Sequence, residues 1–549
     1  MNTTKNKRIA VIDFETDPFK YGREPRPFVA GFFDGEKYMA FWGADCVAQI
    51  AQYLAFREPL LLYAHNGGKF DFYFLLEQIE NPVRIINGRI VSAGFLRRHE
   101  LRDSYAILPI PLAAYAKDTI DYDIFEPGER EKLPNKKAIL SYLKTDCEKL
   151  YELVNAFCDR FGRKLTIGGT AIKQLRDMHP FPNTSGAHDK LIRPFYFGGR
   201  VQSFESGIVK APMKIYDVNS MYPFVMKNFR HPIGERYITI ENPVILPDGR
   251  IKNYNAGGHP YFLEFEGENF GALPIRTNEG LDFNARHGHF FATSHEIKTA
   301  LKHRLINIRK TARAYMPYKS ITFGTFVDTF GAEKIAAKKT GNKAGEIFAK
   351  LILNSSYGKT GQNPENYFDW QLIKSGQDFP PEPWELYERN SACSIWRKPV
   401  DRLSYYDVAI AASVTGAARS VLLDALCNAK RPFYCDTDSI TCQQLNGVKL
   451  DAYELGAWKL EATGTLGAFA GKKLYAIYNG SECIKLASKG ARIMPEQIKE
   501  IAQGATVHYL QDAPNFKMSG KANFIDRKIK SRVKLSHGNS AAHFRKGNK

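Results

Sequence analysis

The sequence predicts a multidomain chain of α/β and α+β character. Three observations lead there. The chain has 549 residues, more than one hydrophobic core usually organises. Residues 1–165 alternate strand-like apolar runs with a long helical pattern, as one α/β unit does. From about residue 166 to 549 strands, loops and helices start afresh, broken by stretches rich in Gly, Pro and Asn.

In chain order, Ile9 to Phe14 is a strand, and Pro59 to Tyr63 is another that leads into His65-Asn66-Gly67-Gly68-Lys69-Phe70-Asp71. A helical pattern covers Lys136 to Phe161, and Gly162 to Gly169 reads as a linker. The second set begins near Phe195. Lys214 to Tyr216 is a short strand ending at Asp217, and residues 228–288 read as short strands and loops. Glu333 to Lys339 and Lys343 to Tyr357 form a helical hairpin, with Gly341-Asn342 as stop and new N-cap. Residues 362–400 read as loop-rich, Asp407 to Ala429 as helix, and 431–442 as a hairpin. Strands, loops and a basic tail follow from about Leu460.

The formal net charge of +19 and pI near 9.3 suit a polyanion, with nucleic acid first. No run of about 18 apolar residues predicts a membrane span. Acids break the apolar run behind the basic MNTTKNKR start, unlike a secretory signal. The eight cysteines form no CxxC pair. Neither a disulfide framework nor a cysteine zinc site is indicated, and a reducing cytoplasm fits.

Two carboxylate sets carry chemistry. Asp13 and Glu15, two apart on a strand, point to one face, while Tyr142 and Asp146, four apart on a helix, share another. With Asp71 after its glycine turn, four carboxylates from separate elements can converge on two divalent ions. Oxygen ligands suit Mg²⁺, with Mn²⁺ next. Such a pair activates a water against a phosphodiester, and Tyr142 can orient that water.

The second set is Asp217 in DVNSMYP with Asp436 and Asp438 in YCDTDS. Lys350, Asn354 and Tyr357 in KLILNSSYG fall at i, i+4, i+7 on one helix face, which suits phosphate, sugar and base pair. Lys343 lies upstream on the same side, and Lys338 ends the preceding helix. Other readings fail. Leu353 stands where a P-loop needs Gly, and Thr441 where a calcium loop needs its turn Gly.

Asp-x-Glu, Asn-x-x-x-Phe-Asp and Tyr-x-x-x-Asp together resemble the DEDDy type of 3′–5′ exonuclease. DVNSMYP, KLILNSSYG and YCDTDS resemble the motifs of family B DNA polymerases, in their usual order. The resemblance covers nearly the whole chain and is nearest to the protein-primed branch of small linear-genome bacteriophages and plasmids. Tyr196-Phe197-Gly198-Gly199 is similar to that branch's Y-x-G-G linker. Thr415 to Arg419 is similar to its T-x-x-A-R element, and Lys473-Leu474-Tyr475 to its K-x-Y motif.

The resemblance implies an RNase H-like exonuclease domain at 1–165 and a right-hand polymerase domain at 166–549. The palm motifs lie at 217–223 and 434–439, the fingers at about 331–358 and the thumb at about 485–549. Insertions at about 228–320 and 362–400 would contact the priming protein and encircle the template. It implies Asp13, Glu15, Asp71 and Asp146 as metal ligands of one site, with Lys117 supporting hydrolysis. Asp217, the Val218 backbone, Asp436 and Asp438 are implied for the other, with two Mg²⁺ at each. Thr16, Asn66, Phe70, Ser104 and Tyr105 are implied as single-strand contacts. Tyr196, Gly198, Gly199, Thr415, Arg419, Lys473 and Tyr475 are implied as DNA and primer contacts. Tyr222 would exclude a 2′-hydroxyl. Lys338, Lys350, Asn354 and Tyr357 would hold the dNTP, and Lys528, Lys530, Arg532 and Lys534 would track phosphates. Expected partners are template and primer DNA, dNTPs, a terminal protein and a single-stranded DNA-binding protein, acting on a monomer without a membrane. The alternatives are nucleic-acid priming or self-initiation, a nuclease whose C-terminal half only binds DNA, and a non-catalytic nucleic-acid scaffold.

Overall fold

The structure, a computed structural model, describes residues 7–116, 118–254, 258–389, 393–400, 405–488, 490–517 and 520–533. Lys117 and Lys534 lie outside the described residues.

Strand β1 (Arg8–Thr16) is buried on both faces, with Val11 packed toward one core and Ala10, Ile12 and Phe14 toward another. It sits inside a seven-stranded sheet with β2 (Pro27–Phe33), β3 (Tyr38–Trp42), β4 (Leu60–Ala64), β5 (Ile79–Ile86), β6 (Arg89–Phe95) and β7 (His99–Asp103). The order is β3-β2-β1-β4-β7-β6-β5, parallel across β1-β4 and β4-β7. Helix α1 (Leu133–Phe161) covers the Val11 face with Ile139, Leu143, Leu150 and Phe157. Alternation then places Asp13 and Glu15 on the same face, under that helix. The expected linker at 162–169 is shorter: a helix starts at Ile167, capped by the Thr166 hydroxyl, and absorbs Gly168 and Gly169.

Strands β8 (Val201–Ser203) and β9 (Gly207–Val218) begin a second seven-stranded sheet. The expected strand at 214–216 is thus the end of a twelve-residue one. A four-stranded sheet intervenes, from β10 (Tyr237–Glu241), β11 (Phe262–Asn269), β12 (His287–Thr293) and β13 (Ile306–Pro317). The hairpin follows as α2 (Gly324–Lys339) and α3 (Lys343–Thr360). Gly341 takes φ +70° and the Asn342 side chain accepts from the Gly345 N–H, as stop and cap require. The expected loop-rich stretch at 362–400 holds three strands among its described residues: β14 (Phe368–Lys374), β15 (Glu385–Arg389) and β16 (Cys393–Pro399). Their mixed apolar, polar and charged residues keep no regular period of two. This small sheet docks on the first domain, where the Asn81 amide exchanges hydrogen bonds of 2.8 and 2.9 Å with the Leu372 backbone.

Helix α4 (Val408–Asn428) is long and apolar enough to cross a membrane, but it is buried along most of its length as a core helix. The Asp407 carboxylate caps it. Beside it, the Nε2–H of buried His231 donates to the Val225 carbonyl and Nδ1 accepts from the Ser413 hydroxyl, each at 3.0 Å. Burial pushes the His231 imidazole down to about 4. A histidine in the unfolded chain titrates near 6.5. The His231 contribution is therefore complete above about pH 6.5 and is lost as pH falls toward the folded value. Melting temperature should decline over that window, and His231→Gln should flatten the decline by about one proton's worth. An unchanged slope would remove the assignment.

The second sheet is completed by β17 (Ala429–Asp436), β18 (Ser439–Leu445), β19 (Trp458–Gly471), β20 (Leu474–Asn479) and β21 (Glu482–Ser488). The order is β21-β20-β19-β9-β18-β17-β8, so β9, which carries Asp217, lies at the centre beside the β17–β18 turn.

Candidate active sites

Asp13, Glu15 and Asp146 bring ligand oxygens within 4.8 Å of one another, the one such group among the described residues. Three carboxylates this close repel unless a cation compensates them. The Tyr142 phenol is pushed up by burial, by its hydrogen bond with Tyr122, and by the Asp146 and Glu15 charges, so it stands beside the same cluster. Asp71 lies outside the group of three. It is buried, its carboxylate accepts from the Phe14 N–H at 3.2 Å, and burial with the Asp13 charge holds its carboxyl well above the usual range. The donor set is all oxygen and fits a hard divalent cation.

The single-strand contacts implied by the resemblance line this edge. Asn66 takes φ +63° and accepts from Arg89 at 2.8 Å. The Ser104 hydroxyl is buried against His65 Nδ1 and the Ala64 carbonyl. Tyr105 lies under the Arg89 guanidinium, 4.7 Å from its ring centre, and Thr16 is buried. Phe70 sits in an aromatic cluster with Phe19, Phe74 and Phe516, at 5.2 to 5.6 Å. Arg89 and Phe516 fall in none of the motifs that the sequence shows. Only Arg89 left a signal, a lone cation in an apolar strand.

At the second site the Val218 N–H donates to the Asp438 carbonyl at 2.9 Å, locking the end of β9 to the turn. Burial and then Asp438 push Asp217 up to about 7, with Glu461 adding to the shift. Asp438 is raised by burial and by Asp436. Asp436 instead turns to Lys473, whose ammonium meets both its oxygens at 2.9 and 3.0 Å. Tyr475 packs on Tyr434 at 4.4 Å. Hence these three carboxylates are near neighbours without the tight convergence of the first site. Glu461 was not foreseen. It is the extra residue of a bulge between Leu460 and Ala462, and bulges re-aim side chains in ways that residue type does not announce.

Lys350 and Asn354 are exposed and Tyr357 half-buried on α3, sharing the expected face. The Tyr357 ring stacks on Tyr222 at 4.3 Å and 18°. Lys338 is joined by Lys334, one turn earlier on α2 and outside the motifs of the sequence. Burial, then Lys350 and Lys338, push the Lys334 ammonium down. Lys343 opens α3, the helix that carries Lys350. A concentration of ammonium groups beside a carboxylate platform is matched to a polyphosphate.

Two elements are set differently from direct DNA contact. Thr415 is buried, its hydroxyl donating to the Ala411 carbonyl of its own helix. Arg419 is buried too, donating to Glu296 at 2.8 Å and to the Phe197 and Gly198 carbonyls at 2.5 and 2.8 Å. This arginine anchors the Y-x-G-G segment to α4 rather than facing solvent. Truncating it would strand the Glu296 charge in the interior, a loss of about 3–5 kcal/mol. Tyr196 is half-buried, and Arg276 donates to its carbonyl. A Cβ on Gly198 would meet open space, whereas one on Gly199 would meet Thr437 Oγ1 at 2.8 Å. Lys528, Lys530 and Arg532 are all exposed at the end of the described chain, with Ile529 buried between the two lysines.

A carboxylate-bearing sheet with a lysine-lined helical hairpin, following an α/β domain with its own acidic cluster, is the architecture of a DNA polymerase. The chain belongs to the type B DNA polymerases of organelles and viruses, whose family model matches residues 119–380. The DNA-directed DNA polymerase of Enterobacteria phage PRD1 is 46% identical over 559 residues, covering 95% of this chain and 98% of that one. The DNA polymerase of Bacillus phage phi29 is 24% identical over 472 residues, 75% of this chain and 77% of that one. The fold matches phi29 DNA polymerase complexed with primer-template DNA and incoming nucleotides, with TM-score 0.71, 19% identity, and coverage of 96% and 100%. The protein is a DNA-directed DNA polymerase with the exonuclease, palm, fingers and thumb layout, and its family is metal-dependent.

Proposed function

We propose that this polymerase begins synthesis on a hydroxyl of a terminal protein and edits its product with a 3′–5′ exonuclease in the N-terminal domain. Elongation on template and primer DNA from dNTPs follows, in the host bacterial cytoplasm, with a single-stranded DNA-binding protein as accessory and the enzyme as a monomer. The convergence of Asp13, Glu15 and Asp146 carries the editing half of the reading. The priming half is supported by 46% identity over nearly the whole length of a phage polymerase and by sheets inserted between the motifs.

At both sites Mg²⁺, two ions each, supplies charge neutralisation and an activated oxygen when bound. The residues of the chain do the rest. Asp217, Asp436, Asp438 and the Val218 backbone hold the metal side of the palm. Lys473 pairs with Asp436 and would be available to the primer terminus where a bound cation held that carboxylate instead. Lys338, Lys350 and Lys334 neutralise the triphosphate, Asn354 meets the sugar side, and Tyr357 backs the nascent pair. In the other site Tyr142 orients the attacking water and Lys117 supports hydrolysis. Asn66, Phe70, Thr16, Ser104 and Tyr105 guide the frayed strand. Lys528, Lys530 and Arg532 track duplex phosphates.

Incubation with Mg²⁺, labelled dNTP and the cognate terminal protein should give a covalent protein–dNMP adduct. Failure to form one would leave the elongation activity standing and remove the priming mode. The Tyr222–Tyr357 stack fixes the ring that meets the sugar. Tyr222→Val should therefore raise ribonucleotide use relative to deoxyribonucleotide by about 100-fold, read as the ratio of kcat/KM values. An unchanged ratio would place discrimination elsewhere.

A further inference from the structure

Arg200 is among the largest fully buried side chains of the protein, with 1% of its surface exposed, and it lies directly behind the YCDTDS turn. Burying a guanidinium is costly unless its donors are satisfied. Its Nε and Nη2 donate to the Gln202 side chain at 3.0 and 2.5 Å, and its Nη1 to the Gly271 carbonyl at 2.8 Å. Its plane lies over the Phe283 ring, 4.4 Å from the centre. Gln202 is on β8, whereas Gly271 and Phe283 belong to the segment inserted between the palm motifs. The side chain therefore ties three pieces of chain together.

What it holds is its own carbonyl. That oxygen accepts the Thr437 N–H at 2.7 Å. Thr437 sits at φ +59°, a left-handed conformation that a β-branched residue adopts only under constraint. The Asp438 N–H bonds back to the Asp436 carbonyl, and the Thr437 hydroxyl donates to the Asp436 carboxylate at 3.1 Å. The orientation of both carboxylates thus depends on a strained residue, and Arg200 supplies the acceptor that keeps it there.

We infer that Arg200 is a positioning residue for nucleotide incorporation, holding the Asp436-Thr437-Asp438 turn in its metal-competent shape and linking that turn to the inserted segment at Gly271 and Phe283. The inference rests on Asp436 and Asp438 being the palm ligands. Outer partners of ligand residues commonly change metal affinity or activity by 10–100-fold when lost.

The test compares Arg200→Met, Arg200→Lys and Gln202→Leu with the wild-type chain. In metal-free protein, amide exchange of the 434–440 segment should quicken by about tenfold in Arg200→Met, while that of residues 9–16 is unchanged. The Mg²⁺ needed for half-maximal incorporation should rise by about tenfold, kcat should fall, and the dNTP KM should stay within about twofold. Arg200→Lys, keeping one donor for Gly271, and Gln202→Leu, keeping the guanidinium, should fall between. Should Arg200→Met not fold, these two variants carry the comparison. Wild-type exchange and metal requirement in folded variants would overturn the inference, as would a rise in dNTP KM alone. If Asp438→Asn also incorporates normally, the ligand assignment has failed; if it is inactive while the Arg200 and Gln202 variants are normal, only the positioning role has failed.

Discussion

Asp438→Asn should abolish nucleotide incorporation, with kcat lower by on the order of 1,000-fold or more. The substitution is nearly isosteric. It leaves the Asp438 carbonyl that receives the Val218 N–H, so β9 and the turn stay joined. What disappears is the charge that raises Asp217 and that, with Asp217, forms the oxygen platform. The dNTP KM should change far less, because the lysines at 334, 338 and 350 are untouched. Hydrolysis of a single-stranded oligonucleotide by the same preparation serves as the folding control. Incorporation at the wild-type rate would take Asp438 out of the metal site.

Asp13→Ala should give the reverse pattern. Hydrolysis from a 3′ end should fall by on the order of 1,000-fold, while extension of a matched primer continues. Asp13 shares its sheet face with Glu15 and its cluster with Asp146, and its charge is also one cause of the raised Asp71 carboxyl. Removing it relaxes that crowding, so the variant should fold at least as stably as the parent. The decisive readout is a mismatched primer: the variant should extend or stall on it without trimming. Trimming at the wild-type rate would mean that the acidic cluster serves another purpose.

Much of this was legible in the sequence because local rules carried it. Gly341-Asn342 marks the break between α2 and α3 by backbone freedom and capping alone, and the structure has the break there. The Lys350, Asn354, Tyr357 face follows from helical periodicity. The strand pair β17–β18 is announced by its apolar run and short turn. What escaped was set by contacts distant in sequence. Glu461 reaches the palm through a bulge, Phe516 arrives at Phe70 from the far end of the chain, and Arg419 turns inward because Glu296 and the Phe197 and Gly198 carbonyls await it. Motif resemblance gave Arg419 a DNA contact; packing gave it a structural one. The small sheet at 368–399 was hidden because its strands, FDWQLIK, ELYER and CSIWRKP, mix apolar, polar and charged residues without a regular period of two.

Gly199 bears on how such a chain can vary through descent. Any Cβ at that position would meet Thr437 Oγ1 at 2.8 Å and Cγ2 at 2.9 Å. A mutation that adds a methyl group there is therefore tolerated only together with a residue at 437 that lacks both atoms, such as alanine or glycine. Two positions more than two hundred residues apart are bound into one heritable unit, and sequences of this lineage should change them in step or not at all.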